Sequence, residues 1–142
     1  MEEHEYPAMR TDGIRLLLVD DDISLLELTS QLLFRKGYLV TPATGSGEAI
    51  TILNNNHQAY DVVVTDLCMP ENNGIELAIM IRKLSTDIPV ILHTGKIDLI
   101  DESQLTRAGI AEVITKPYRV EELDEIIKRV LKNRRQLSWV KK

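Results

Sequence analysis

Three carboxylates stand in a row at Asp20, Asp21 and Asp22, directly after the apolar run "IRLLLV". A further carboxylate, Asp66, follows "DVVVT". "IPVILH" gives way to Thr94-Gly95, and "AEVIT" to Lys116-Pro117. Each polar group therefore terminates a short apolar run of the kind that forms a buried strand. Clustered carboxylates offer only oxygen ligands, which suits a hard divalent cation. A carboxylate can also act as a covalent nucleophile, a threonine hydroxyl can donate a hydrogen bond, and lysine supplies a point positive charge. An aspartate at a strand end can equally start a turn, so the chemistry depends on whether the fold gathers these groups.

The elements between them alternate. "IRLLLV" (14–19), "YLVTP", "DVVVT", "IPVILH" and "AEVIT" read as five strands. Helical spacing links Leu25, Leu28 and Leu32 within 23–36, closed by Gly37. A second helix runs from Ser46 to about Asn55 with Ala49, Ile50 and Leu53 on one side, and a third from Gly74 to Leu84 with Leu77, Ala78, Ile81 and Leu84 on one stripe. Asp98 is placed to cap a fourth, ending at Ala108-Gly109, and a fifth spans about Val120 to Asn133 with Val120, Leu123, Ile127, Val130 and Leu131 inward. Strands that are continuous apolar runs, each followed by a helix, predict an α/β domain with a parallel sheet covered on both faces. In such a sheet ligands gather outside the carboxyl ends of the strands, and Asp20–Asp22, Asp66, Thr94 and Lys116 share that edge.

The 142 residues predict one domain. A single cysteine, Cys68, excludes an internal disulfide and fits a reducing, cytoplasmic setting. No apolar stretch approaches the roughly 20 residues that span a bilayer, and the acidic start "MEEHEYPAMRTDG" has no apolar centre of a signal peptide. The net charge of −5 is uneven: residues 128–142 carry seven Lys or Arg and no acid, so the body is strongly acidic, which argues against nucleic-acid binding by the body. The expected division is an acidic lead over 1–13, a globular unit over 14–133 and a basic tail over 134–142.

"LLLVDDD", "VVVTDLCMPENNG", "PVILHTG" and "VITKPY" together resemble the receiver domain of two-component response regulators, over about residues 14–133. The resemblance implies a doubly wound, flavodoxin-like sheet of five parallel strands in the order 2-1-3-4-5 with five helices. That order makes the first and third strands neighbours, so Asp20, Asp21 and Asp66 converge. Two like charges about 4 Å apart repel by about 4 kcal/mol at an effective dielectric near 20, and Mg²⁺ (or Mn²⁺ in its place) would offset that. The resemblance assigns metal contact to Asp21 and Asp66, with Asp20 acting partly through water and the Cys68 backbone carbonyl completing the protein ligands. Asp66 is then the phosphoacceptor, Lys116 its counter-charge, and Thr94 the hydroxyl that follows the phosphoryl group. The implied donor is a phosphohistidine on a histidine kinase or histidine phosphotransfer domain. The implied outcome is a switch in binding to a downstream protein, with a dimer through the fourth and fifth helices among the outcomes. Such a domain promotes its own phosphorylation and dephosphorylation and is not a dedicated metabolic enzyme. A cis bond is implied at Lys116-Pro117.

The chain departs from the family pattern at Val113, where an aromatic switch residue usually stands three before the lysine. Tyr118 is expected to pack the following loop. His93 alternates with Thr94 and so points to the opposite face, where packing is its expected role. Asp22 is expected to cap the first helix. Cys68 and Lys96 flank the expected phosphoryl site, and either side chain would tune the lifetime of an aspartyl phosphate. The basic tail reads as a solvated helix end whose cations complement the helix dipole, with a docking segment, a stub of linker to a further domain and weak nucleic-acid contact as alternatives; it is too short for a DNA-binding output domain. The same motifs fit a free-standing regulator and the receiver of a hybrid sensor kinase. Three other functions compete with this one. A flavodoxin-like cofactor binder needs a phosphate-cradling first loop, which "DDD" would repel. An aspartate-nucleophile phosphatase places a second Asp where Cys68 stands. A phosphorylation-independent interaction module would not need the full set of groups.

Overall fold

The computed structural model describes residues 13–85, 87–96, 98 and 100–140, with side chains through residue 133. The expected acidic lead thus lies outside the described residues apart from Gly13, as do Lys141 and Lys142 at the end of the basic tail. The elements alternate as expected: β1 (Arg15–Val19), α1 (Ile23–Arg35), β2 (Leu39–Ala43), α2 (Ser46–Asn56), a single 3-10 turn (His57–Ala59), β3 (Val62–Asp66), α3 (Gly74–Leu84), β4 (Val90–Thr94), α4 (Glu102–Ala108), β5 (Ile110–Thr115) and α5 (Val120–Val140). The five strands form one parallel sheet in the order β2-β1-β3-β4-β5. No helix among the described residues is long and apolar enough to cross a membrane.

Strand alternation splits the core into two layers. Leu17, Val19, Val63, Val90 and Leu92 pack with Ala49 and Leu53 of α2, Leu77, Ala78 and Ile81 of α3, and Ala108 of α4. Leu16, Leu18, Val62, Val64, Ile91 and Ile114 pack on the other face with Leu26 and Leu33 of α1 and Leu123, Ile127 and Val130 of α5. Side chains facing both ways from one strand are fully buried, which is why β1, β3 and β4 are uninterrupted apolar runs. Pro42 is tolerated because β2 lies at the sheet edge.

Three element details differ from the sequence expectation. In α1 the buried stripe is Leu26, Thr29 and Leu33, whereas Leu28 is 53% exposed. The helix carries leucine on adjacent stripes, and packing against the sheet selects the one with Leu26 and Leu33. Helix α4 starts at Glu102 rather than near Asp98, because the Asp101 side chain accepts from the Ser103 amide and caps it there. It closes at Gly109, whose φ of 72° is left-handed. Helix α5 does not stop near Asn133 but continues to Val140; "KNRRQLSWV" contains neither Pro nor Gly to end it. The first part of the expected tail is therefore the end of this helix.

Candidate functional site

Residues alternate in direction along a strand, and that decides what meets at the carboxyl edge of the sheet. Leu16, Leu18 and Asp20 have the same parity, as do Val62, Val64 and Asp66, then Ile91 and His93, and then Ile114 and Lys116. The apolar members of these sets all belong to the α1/α5 layer. Asp66 and His93 are register partners across β3 and β4. The side chains of Asp20, Asp66, His93 and Lys116 converge accordingly. Lys116 Nζ donates to Asp20 Oδ2 at 3.0 Å and lies 3.4 Å from Asp66 Oδ2. His93 Nε2 is 3.3 Å from Asp20 Oδ2. Asp21 joins on the solvent side, and carboxylate oxygens of Asp20, Asp21 and Asp66 all lie within 4.8 Å of one another.

Local structure fixes each group. The Asp22 amide donates to Asp20 Oδ1 at 2.9 Å, while the Asp22 side chain caps α1 by accepting from the Leu25 amide at 3.1 Å. Asp66 is the last residue of β3, a strand flanked by β1 and β4, and pairs with His93 on the β4 side. The loop after it folds back so that the Gly74 amide donates to Leu67 O at 2.8 Å. Asn73 and Glu76 then start α3 with a reciprocal capping box. Lys116 is tied to the end of β4 through its amide, which donates to Thr94 O at 2.8 Å, and its bond to Pro117 is cis.

The two central carboxyls respond oppositely to their surroundings. Burial pushes the Asp20 carboxyl up, but the His93 ring, the Asp22 amide and the Lys116 ammonium outweigh it and hold its pKa at about 2. For Asp66, burial dominates and raises the pKa; Lys116 opposes this, and the negative Asp20 adds to it. The surroundings of one carboxyl thus favour its ionised form, while burial and like charge work against ionisation of its neighbour. Oxygen ligands alone, carrying surplus negative charge at one edge, are a donor set that fits Mg²⁺.

Thr94 ends β4 on the same edge, fully buried, one residue past the register partner of Asp66. Its Oγ1 accepts from the Lys96 amide at 2.9 Å. Cys68 is exposed on the β3–α3 loop, and Lys96 is exposed in the loop after β4. Val113 packs in the α2–α4 layer. Tyr118 packs in the α1/α5 layer, and its hydroxyl is hydrogen-bonded to His93 Nδ1. Burial, reinforced by the charges of Asp20 and Asp66, raises the Tyr118 pKa and keeps the hydroxyl protonated. The contact of His93 with Asp20 was missed in the sequence. The signal was present: the alternation that turns His93 away from Thr94 also turns it toward the face of Asp66 and Asp20.

A family model for the response regulator receiver domain matches residues 16–128. The chain belongs to that family. This receiver domain is 40% identical over 118 residues to the transcriptional regulatory protein CpxR homolog of Haemophilus influenzae, covering 83% of this chain and 50% of that protein. It is 34% identical to the two-component response regulator ARR14 of Arabidopsis thaliana, covering 86% of this chain and 32% of that one. The chain thus spans half or less of the length of these relatives. Among solved structures, the receiver domain protein from Clostridium thermocellum superposes with a TM-score of 0.81 at 29% identity, covering 87% of this chain and 98% of that one. The response regulator TrrA from Thermotoga maritima, solved in complex with Mg²⁺ and BeF, gives 0.72 at 32% identity, covering 82% and 98%. The receiver fold and the membership in two-component response regulators, expected from four motifs, are both borne out.

Proposed function

We propose that this receiver domain, taken as residues 14–133, accepts a phosphoryl group on Asp66 in a Mg²⁺-dependent transfer. The observation that carries the reading is the meeting of Asp20, Asp21 and Asp66 within 4.8 Å, with Lys116 Nζ 3.4 Å from the Asp66 carboxylate. A likeness to a receiver solved with Mg²⁺ and BeF supports it. Asp21, Asp66 and, through water, Asp20 would hold the cation, with the Cys68 backbone carbonyl as a further ligand. Bound there, Mg²⁺ would offset charge on the phosphoryl oxygens; Mn²⁺ would serve similarly.

Asp66 attacks the phosphorus of a phosphohistidine on a partner kinase or transfer domain. The O–P bond forms, the P–N bond breaks with its electron pair going to the imidazole nitrogen, and that nitrogen takes a proton from solvent. Lys116 already touches the acceptor carboxylate and neutralises charge as the phosphoryl group arrives. Thr94, at the neighbouring strand end, donates its hydroxyl to a phosphoryl oxygen, moving the loop that follows. That shift changes the surface offered to a downstream partner.

Incubation with acetyl phosphate and Mg²⁺, followed by intact-mass measurement and site mapping, tests this. A phosphoryl mass gain on Asp66, absent in Asp66→Asn, is expected. Rapid turnover without accumulation would indicate a phosphatase, and no reaction would leave an inert interaction module.

A further inference from the structure

His93 is fully buried, yet its Nε2 has no aligned hydrogen-bond partner. Its other nitrogen is committed: Nδ1 is bonded to the Tyr118 hydroxyl. Nε2 faces the Asp20 Oδ2 oxygen at 3.3 Å, where a ring hydrogen is favoured and a lone pair would be repelled, so Nε2 is assigned the hydrogen and Nδ1 accepts from the Tyr118 hydroxyl. This N–H points to Asp20 Oδ2 from 3.3 Å, off the line of a formed bond. The same oxygen is occupied by Lys116 at 3.0 Å. Oδ2 therefore has one bonded donor and a second one waiting behind it.

We propose that His93, held by Tyr118, is a positioning residue for Asp20 that takes over Oδ2 when Lys116 turns to a phosphoryl group on Asp66. The inference rests on the phosphoacceptor reading above and deepens it. A lone ammonium shared between Asp20 at 3.0 Å and Asp66 at 3.4 Å loosens its hold on Asp20 when it follows new negative charge on Asp66. The Asp22 amide would still hold Oδ1, but without a replacement Oδ2 of a fully buried carboxylate would lose its bonded donor at the step when it must stay oriented toward the cation. His93 supplies that replacement from inside the sheet, where water does not reach. The buried unpartnered N–H is what a donor looks like before its acceptor turns to it. Tyr118 fixes the ring and its tautomer, as carboxylates and carbonyls fix metal-site histidines from the second layer. It also connects this rearrangement to the segment that leads into α5, a role that does not need an aromatic at position 113.

The test uses the full chain and two readouts. Mg²⁺ affinity is measured by calorimetry in the presence of beryllofluoride, which stands in for the phosphoryl group on Asp66, for wild type, His93→Leu, His93→Gln and Tyr118→Phe. Second-layer substitutions weaken metal binding by roughly 10–100-fold, so His93→Leu is expected to bind Mg²⁺ about tenfold more weakly, with His93→Gln, which keeps an N–H donor, recovering most of the loss. Tyr118→Phe removes only a hydroxyl and gives a smaller loss. In ¹⁵N-histidine NMR, the wild-type His93 Nε2–H resonance is expected to move downfield and gain exchange protection when Mg²⁺ and beryllofluoride are added together. Variants that bind Mg²⁺ as wild type does, or a His93 resonance that ignores the ligands, overturn the inference while the phosphoacceptor reading stands. A wild type that binds no Mg²⁺ overturns both. Should His93→Leu not fold, Tyr118→Phe carries the same decision through its affinity and the His93 Nδ1 shift.

Discussion

Gly74 packs against the backbone of Asp66 so closely that a Cβ on it would lie 2.3 Å from the Asp66 carbonyl oxygen. It would also lie 2.6 Å from Leu92 Cδ1 in the adjacent strand. The absent side chain is thus what lets α3 begin directly beneath Asp66. Gly74→Ala forces either the helix start or the end of β3 to move. Overpacking of this kind costs about 1–3 kcal/mol, and because the obstruction is backbone we expect the upper half of that range. Urea unfolding should show a lower midpoint, and phosphodonor labelling of Asp66 should slow in the folded fraction.

Asp66 and Asp20 should affect stability with opposite signs. The folded pKa of Asp66 is raised by burial and by Asp20, so the folded chain binds more protons than the unfolded one above the ordinary Asp value of about 3.9. Stability from this group falls as pH rises through its folded pKa. Asp66→Asn should therefore melt higher at pH 7, by about 4 °C for each kcal/mol gained, and the gain should fade below about pH 4. Asp20 is depressed to about 2, and its contribution is present at neutral pH and lost as pH falls from about 4 toward 2. Asp20→Asn should cost about 2 kcal/mol at pH 7. Thermal melts of both variants between pH 3 and 7 check the crossing slopes.

Magnesium should stabilise the fold by linkage. At a Mg²⁺ concentration ten times its dissociation constant, the gain is about 1.4 kcal/mol. Differential scanning fluorimetry should show it for wild type and show it reduced in Asp21→Asn, whose solvent-side carboxylate has no buried structural role.

Tyr38 joins α1 and β2 to α5 through a buried hydrogen bond of 2.6 Å from its hydroxyl to Asp124 Oδ1. Asp124 has one further salt-bridge contact, Lys128 at 3.3 Å. Tyr38→Phe leaves a buried carboxylate oxygen without its donor, which costs about 1–3 kcal/mol. Denaturant melts should register that loss, while the extent of Asp66 phosphorylation in the folded protein stays as in wild type.

Much of this was legible because buried parallel strands write themselves plainly. "VVVTD" and "PVILHT" have no polar position until the edge, so the edge residues stand out. Asp22 and Gly37 marked the ends of α1 by cap chemistry that is local. What escaped was decided by tertiary choice between equivalent local options. Asp98 and Asp101 are both capable N-caps, and only the folded loop selects the second. Leucines on two stripes of α1 give periodicity no means of ranking them. His93 escapes for a different reason: facing away from Thr94 suggests leaving the site, whereas the site draws on side chains from both faces of the sheet.

The uninterrupted course of α5 to Val140 gives the domain a mechanical arm. Its 21 residues extend about 31 Å at 1.5 Å per residue, with the base beside Tyr118. A tilt of only about 5° at the base would sweep the tip through about 3 Å at this length. Atomic-scale adjustments around one carboxylate can in this way become a displacement large enough for another protein to feel.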